Sequence, residues 1–372
     1  MKLSKFRKKQ LVNGPKGVSE LRQDLVSGDW MIVATARAKR PNSFTGGRQK
    51  FEQSASRCPF EDPQVTGHSE PLLIYFQQGE KHRVKGVKKL VKEWSLQVIK
   101  NKFPALGYGD CSKIYKDGPY NLMDGAGFHE IIITRDHNKH LALMSIEKVE
   151  EVLKAYQERY LTLMDHKCVN YIFIFHNHGR EAGATIPHPH SQLIALPILP
   201  ADVKRSLKGA KEYHDEHKRC VHCEMIKWEK EEKRSIFQNE HFIVYSPFVP
   251  RVNFELGIYP RKHQPNFEKI TDIERKYLAE AVWQASHRLY QGLKDPAYNF
   301  FIHTAPCDGK DYKYYHWHIE IYPKTNTWAG VELGTGIEII TAKPEDVAKF
   351  LRRQNDCRYF FSARFANYKN HF

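Results

Sequence analysis

One pattern occurs twice in this chain, and it limits the fold more than any other feature. Its first copy is Pro187-His188-Pro189-His190-Ser191-Gln192, followed by the apolar run Leu193 to Leu196. Tyr171 to Phe175, aromatic and β-branched throughout, predicts a buried strand just before it, and the run after Gln192 predicts another. An extended chain from His188 sets His188, His190 and Gln192 on one face, because side chains alternate along a strand. Three polar groups on one face of an apolar strand cost free energy unless they hold something. The second copy is His316-Trp317-His318-Ile319-Glu320, again preceded by a β-rich run, Tyr298 to His303. A single His pair among 20 histidines would read as a surface loop. The third residue in phase, the flanking strands and the second copy weigh against that.

A repeated motif calls for a repeated domain, and the surrounding elements recur in the same order. Cys58-Pro59-Phe60-Glu61 opens the first series and Cys220-Val221-His222-Cys223 the second. Strands are expected at Trp30–Ala34, Trp94–Ile99 and Phe128–Thr134 in the first half, and at His241–Tyr245 and Glu255–Tyr259 in the second. His137 lies eight residues before Ser145, and His263 eight before Thr271. Each of those caps begins a helix. In the first, Ile146, Val149, Val152, Leu153, Tyr156, Tyr160 and Leu163 recur at helical spacing. In the second, Thr271-Asp272-Ile273-Glu274 is a capping box, with Ile273, Tyr277, Ala281, Ala285 and Leu289 on the expected apolar face. His137 to His188 spans 51 positions and His263 to His316 spans 53. A basic helical stretch near 201–218 joins the halves.

The repeated positions carry ligand chemistry. Cys220, Cys223, His263 and His316 make two thiolates and two imidazoles, the closed tetrahedral set of a structural zinc. The equivalent first-half set is Cys58, Glu61, His137 and His188. There Glu61 serves as the fourth ligand, the site has lost its metal, or His140 substitutes. With His188 tied to metal or structure, His190 is left as the reactive group. A neutral imidazole is a good nucleophile toward phosphorus, provided its other nitrogen is held as N–H by a backbone carbonyl. Gln192 donates hydrogen bonds and cannot act as a general acid, which suits steadying a phosphoryl group. Arg37 and Arg40, in Arg37-Ala38-Lys39-Arg40-Pro41, clamp phosphates or form an exposed basic turn. Glu320 makes the second copy acidic. It packs, binds a metal with His303, or contacts a sugar hydroxyl.

Composition narrows the setting. The net charge of +15 fits a polyanionic partner, and the bases are dispersed with no nucleic-acid-binding signature. No run of about 18 apolar residues predicts a membrane span. Seven cysteines, an odd number in a long chain, argue against a secreted disulfide framework and for a reducing cytoplasm.

The combination resembles the galactose-1-phosphate uridylyltransferase family of the histidine-triad superfamily. His188-Pro189-His190-Ser191-Gln192 is similar to its active-site strand. Arg37 to Pro41, Asn101-Lys102-Phe103-Pro104-Ala105-Leu106, Asp136-His137, His316 to Glu320 and Ala329-Gly330-Val331-Glu332 also match, from about residue 20 to 353. The resemblance implies an α+β fold of duplicated histidine-triad-like domains, each an antiparallel sheet with packed helices. The expected units are a flexible basic N-terminus (1–20), a catalytic domain (21–205), a second domain (206–353) and a tail (354–372). It further implies that His190 takes UMP from UDP-glucose, releasing glucose 1-phosphate, and passes it to galactose 1-phosphate. Gln192 then steadies the intermediate and Asn177 contacts the nucleotide phosphates. Arg37, Arg40, Asn101 and Phe103 line the nucleotide site and Glu332 the hexose. Zinc and a homodimer come with the resemblance, whereas nucleic acid and membrane do not. Glu61 stands where many members have Cys. Ser206 and Glu320 depart from the iron ligands of some members, so that iron site is not carried over. The layout with Cys220 and Cys223 is also similar to ADP-glucose phosphorylases, which move AMP. The alternatives are therefore an ADP-glucose, other NDP-sugar or dinucleoside polyphosphate phosphorylase, and, outside enzymes, a zinc-stapled nucleotide-binding protein.

Overall fold

The computed structural model describes residues 18–34, 37, 44, 51–76, 81–82, 93–231 and 233–354. Arg40 and most of the expected terminal segments lie outside these.

The first half contains β1 (Glu20–Gln23), β2 (Trp30–Val33), β3 (Leu73–Phe76), β4 (Lys81–His82), β5 (Trp94–Lys100), β6 (Tyr115–Asp117), β7 (Tyr120–Leu122) and β8 (Phe128–Thr134). Helix α1 (Ile146–Leu163), β9 (Tyr171–His178) and β10 (His190–Leu196) complete it. Helix α2 (Ala201–His217) leads to α3 (Val221–Glu229), β11 (Ser235–Gln238), β12 (Phe242–Tyr245), β13 (Leu256–Pro260), α4 (Asp272–Leu293), β14 (Tyr298–His303) and β15 (His318–Pro323). The described residues end with α5 (Gly330–Thr335), β16 (Ile339–Ile340) and α6 (Pro344–Arg352). The expected half boundary at 205/206 falls inside α2.

Eleven strands form one sheet in the order β11-β12-β13-β15-β14-β9-β10-β8-β5-β3-β4. The two halves are therefore halves of a single sheet, joined where β14 pairs antiparallel with β9, Asn299 opposite Asn177. On either side of that seam the order repeats: β9-β10-β8 answers β14-β15-β13.

One face of the sheet is covered by α1 and α4, which also pack against each other. Ser145 caps α1, accepting from the Lys148 N–H, and Val149, Val152, Leu153, Tyr156, Tyr160 and Leu163 are buried as their spacing predicts. The Thr271–Glu274 capping box forms. The buried face of α4 runs through Leu278, Val282, Ala285 and Leu289, whereas Ile273 is exposed. Tyr277 turns its hydroxyl outward to Glu240. Of the expected face, Ala281, Ala285 and Leu289 are buried and only Ile273, in the first turn, is exposed.

Alternation along β10 divides the two faces. Leu193 and Ala195 enter the core beneath the helices. The side chains of Ile131 and Ile133 on β8 join Cys58, Phe60 and Trp94 in a separate cluster on the opposite face.

Cys111 and Cys168 form a disulfide, their Cα atoms 5.6 Å apart. It ties the segment carrying the β6–β7 hairpin to the turn between α1 and β9. A cystine runs against the expectation of a wholly reduced chain, and nothing in the cysteine count pointed to it.

Candidate active site

His188 and His190 sit where β10 begins, and hydrogen bonds fix both rings. His188 donates from Nε2 to the Thr134 carbonyl at 2.7 Å, at the end of β8. His190 donates from Nδ1 to the His188 carbonyl at 2.9 Å. That leaves Nε2 of His190 with its lone pair free, the tautomer a nucleophilic histidine needs. His190 is buried. Burial lowers its pKa, with the His188 carbonyl working against the shift, so the ring is held neutral. Phe60 packs edge-on against it at 5.1 Å between centroids.

Gln192 lies two residues on, and His129 holds it. The Ala105 N–H donates to His129 Nδ1 at 3.1 Å, which places the proton on Nε2. Nε2 then donates to Gln192 Oε1 at 2.8 Å. With Oε1 taken, Gln192 offers its amide NH₂ to a ligand. Asn101 packs on the same ring, its carboxamide nitrogen 3.0 Å from Nε2, and its Oδ1 accepts from the Phe103 N–H. His129 is a site residue that the sequence did not single out.

Asn177 lies near the end of β9, where its Oδ1 accepts from Asn299 Nδ2 at 2.8 Å. The chain then turns at Gly179, with φ +82°, and an added Cβ there would stand 2.6 Å from the Cβ of Ala297. Only glycine meets both demands. Arg37 is exposed, and Phe103 is 82% exposed. Glu332 accepts from the Ala329 N–H at 3.0 Å. No hydrogen bond found among the described residues joins Arg37 or Glu332 to His190 or Gln192.

Both expected metal sets assemble. Cys220, Cys223, His263 and His316 bring their ligand atoms within 4.8 Å of one another, as do Cys58, Glu61, His137 and His188. In the second set, His263 and His316 donate from Nε2 to the carbonyls of Lys313 and Pro260. Their Nδ1 lone pairs are thereby aimed at the two sulfurs, Cys223 Sγ lying 3.4 and 3.5 Å from them. The first set repeats this. His137 and His188 donate from Nε2 to the Gln53 and Thr134 carbonyls. Their Nδ1 atoms face each other at 3.2 Å, with Cys58 Sγ 3.5 Å and Glu61 Oε1 3.4 Å from His188 Nδ1. Ring nitrogens fixed by carbonyls and turned toward sulfur and carboxylate are the outer-shell arrangement of a metal site, so both sets fit a dication. The cysteines in both sets are free.

His140 does not substitute for a ligand. The Asp136 carboxylate accepts from the Asn138 and Lys139 N–H groups, making a turn rather than a helix. His140 is carried instead to His178 and Asp295.

The second copy has the same skeleton and different chemistry. His318 donates from Nδ1 to the His316 carbonyl at 3.1 Å, as His190 does to His188. Glu320 replaces Gln192, and His303 donates to it at 3.2 Å. Burial alone would raise the Glu320 pKa, but His303 and His318 outweigh it and hold the carboxyl well below its usual range. An anionic Glu320 repels phosphate. A cavity of about 480 Å³ opens over this copy, lined by Phe173, Phe301, Arg251, His303, His318 and Glu320 among others.

The chain's likeness to known proteins agrees with this geometry. Residues 14–200 match the family described as galactose-1-phosphate uridyl transferase, N-terminal domain. This chain belongs to that family. The ADP-glucose phosphorylase of Arabidopsis thaliana is 33% identical over 338 residues, covering 90% of this chain and 92% of the relative. The galactose-1-phosphate uridylyltransferase of Thermotoga maritima is 29% identical over 344 residues, covering 90% and 98%. A crystal structure of an Arabidopsis thaliana ADP-glucose phosphorylase with bound ADP-glucose superposes with a TM-score of 0.74 at 30% identity, over 90% of this chain and 99% of that one. Within this uridyl transferase family, the fold here is the expected α+β duplication. No helix among the described residues is long and apolar enough to cross a membrane.

Proposed function

We propose that this member of the family is a nucleotidyltransferase working by double displacement on His190, with UDP-glucose as donor and galactose 1-phosphate as acceptor. The observation that carries this reading is the His190 tautomer: Nδ1–H spent on the His188 carbonyl, Nε2 free and neutral. In the first step Nε2 attacks the α-phosphorus. A P–N bond forms and the P–O bond to the hexose phosphate breaks, so glucose 1-phosphate leaves with the bridging oxygen. The imidazole gains positive charge as it is phosphorylated, and the His188 carbonyl is placed to stabilise it. The amide NH₂ of Gln192 holds a phosphoryl oxygen. In the second step a phosphate oxygen of galactose 1-phosphate attacks phosphorus and the P–N bond breaks, restoring His190.

Asn177 meets the nucleotide phosphates and Arg37 offsets their charge in this account, with Asn101 and Phe103 at the nucleoside. Cys58, Glu61, His137 and His188, and Cys220, Cys223, His263 and His316, would each hold a zinc ion, which would tie together the segments that present His188 and His316. A homodimer accounts for Glu332 and Phe103, which lie among exposed apolar side chains: Trp328, Val331 and Leu333 beside the first, and Tyr108, Tyr115 and Tyr120 in the segment beyond the second. Such surface is usually covered, and the partner subunit's site is where these residues would act.

A second reading, ADP-glucose phosphorolysis, is favoured by the 33% identity to the Arabidopsis thaliana enzyme. It uses the same histidine, with inorganic phosphate in place of galactose 1-phosphate. Product analysis separates the two. The primary reading predicts UDP-galactose from UDP-glucose plus galactose 1-phosphate, with little turnover of ADP-glucose plus phosphate. The reverse preference would replace it with the phosphorylase reading.

A further inference from the structure

Outside the two cysteine-containing sets, three segments far apart in sequence bring two imidazoles and a carboxylate together. His178 is the last residue of β9. His140 lies in the turn after β8. Asp295 follows the C-terminal cap of α4. Asp295 Oδ1 lies 2.8 Å from His178 Nε2 and 3.4 Å from His140 Nε2. The two rings lie 4.1 Å apart between centroids, tilted by 33°, and all three ligand atoms fall within 4.8 Å of one another.

We propose that His140, His178 and Asp295 form a further metal site, for a first-row dication such as zinc, distinct from the two cysteine-containing sets. Two nitrogens and one carboxylate oxygen suit zinc or its neighbours and are poorly matched to magnesium or calcium, which take oxygen ligands. His140 is buried, and its Nδ1 has no hydrogen-bond partner. Asp295 is half exposed, so water completes the coordination from the solvent side. The backbone is shaped to present this carboxylate. Lys294 and Asp295 both adopt left-handed φ, +57° and +60°, uncommon for residues other than glycine.

The position gives the ion a task. Asn177 precedes His178 directly, and Gly179 follows it, pressed against Ala297 two residues beyond Asp295. An ion held by His178 and Asp295 fastens the start of the 179–189 loop to the α4–β14 connection. That loop ends at the strand carrying His190. His140 adds the turn that also carries His137.

The test counts metal in the full-length protein, refolded or purified with zinc and then freed of loosely bound ion. Wild type should carry one zinc equivalent more than His178→Ala and one more than Asp295→Asn. Asp295→Asn keeps a hydrogen-bond acceptor of the same shape, so a metal-free His–Asp clasp would leave the zinc count unchanged. Equal zinc in wild type and both folded variants overturns the proposal. If neither variant folds, cobalt added to the zinc-free wild-type protein decides. The site predicts a bound equivalent whose visible bands come without thiolate charge transfer. Cobalt bound only with thiolate bands overturns it.

Discussion

His129 Nε2 donates to Gln192 Oε1 across 2.8 Å, between strands whose register places His129 opposite Ile194 and Gln192 opposite Ile131. The contact is therefore diagonal, the next-nearest neighbour on one sheet face. It turns the Gln192 amide NH₂ toward the region His190 faces. His129→Ala should slow formation of the nucleotidyl-histidine about tenfold, the loss expected for one orienting hydrogen bond near 1.4 kcal/mol. Donor affinity should change much less. Single-turnover kinetics check this, and a Gln192→Ala/His129→Ala double variant should be no slower than Gln192→Ala alone.

The two cysteine-containing sets should each hold one metal. Cys223→Ser and Glu61→Ala should each lower bound zinc by one equivalent, measured by elemental analysis. Loss of the second-half ion should lower the thermal midpoint more, since two thiolates bind zinc more tightly than one thiolate and a carboxylate. Zinc content unchanged from wild type in both Glu61→Ala and Cys58→Ser would show the first-half set to be empty of metal.

Glu130, next to His129 on β8, meets Arg159 of α1 in a bidentate pair with both distances 2.7 Å. Both side chains are buried. Glu130→Ala strands a buried guanidinium and should destabilise the chain by about 3–5 kcal/mol in urea unfolding. Replacing both residues by Met should cost far less, because no charge is left behind.

The Cys111–Cys168 disulfide closes a loop with a sequence separation of 57. By loss of unfolded-state chain entropy alone it stabilises by about 4 kcal/mol. Cys168→Ser should lower stability by up to that amount under oxidising conditions and by little in reductant. Amides of the β6–β7 hairpin should exchange faster in the variant, which hydrogen exchange reads directly.

Much of the site was legible because its residues lie close in sequence and repeat. His188 and His190 are two apart, His316 and His318 answer them, and the ligand sets follow from spacing. His129 was not legible. Its strand, Phe128–Thr134, was predicted with the right bounds, but its partnership with Gln192 depends on the β8–β10 register, which no local pattern encodes. The same holds for the β9–β14 seam that makes one sheet of two halves. A helical turn would bring His140 to the first metal set, whereas the Asp136 carboxylate bonds the Asn138 and Lys139 amides and turns the chain differently. Ile273 fits the helical spacing that Ala281, Ala285 and Leu289 obey, yet it is exposed in the first turn, where spacing alone cannot say what packs against it.

The central claim is that His190 carries the transferred nucleotide, and intact mass spectrometry of the zinc-loaded protein tests it most directly. The protein is incubated briefly with UDP-glucose, and separately with ADP-glucose, with no acceptor present. The account predicts a covalent UMP adduct on His190, absent in His190→Ala and discharged by galactose 1-phosphate. An AMP adduct on the same residue would keep the nucleophile and change the donor. A folded, metal-loaded protein that forms no adduct with either donor, or forms one that survives in His190→Ala, would contradict it.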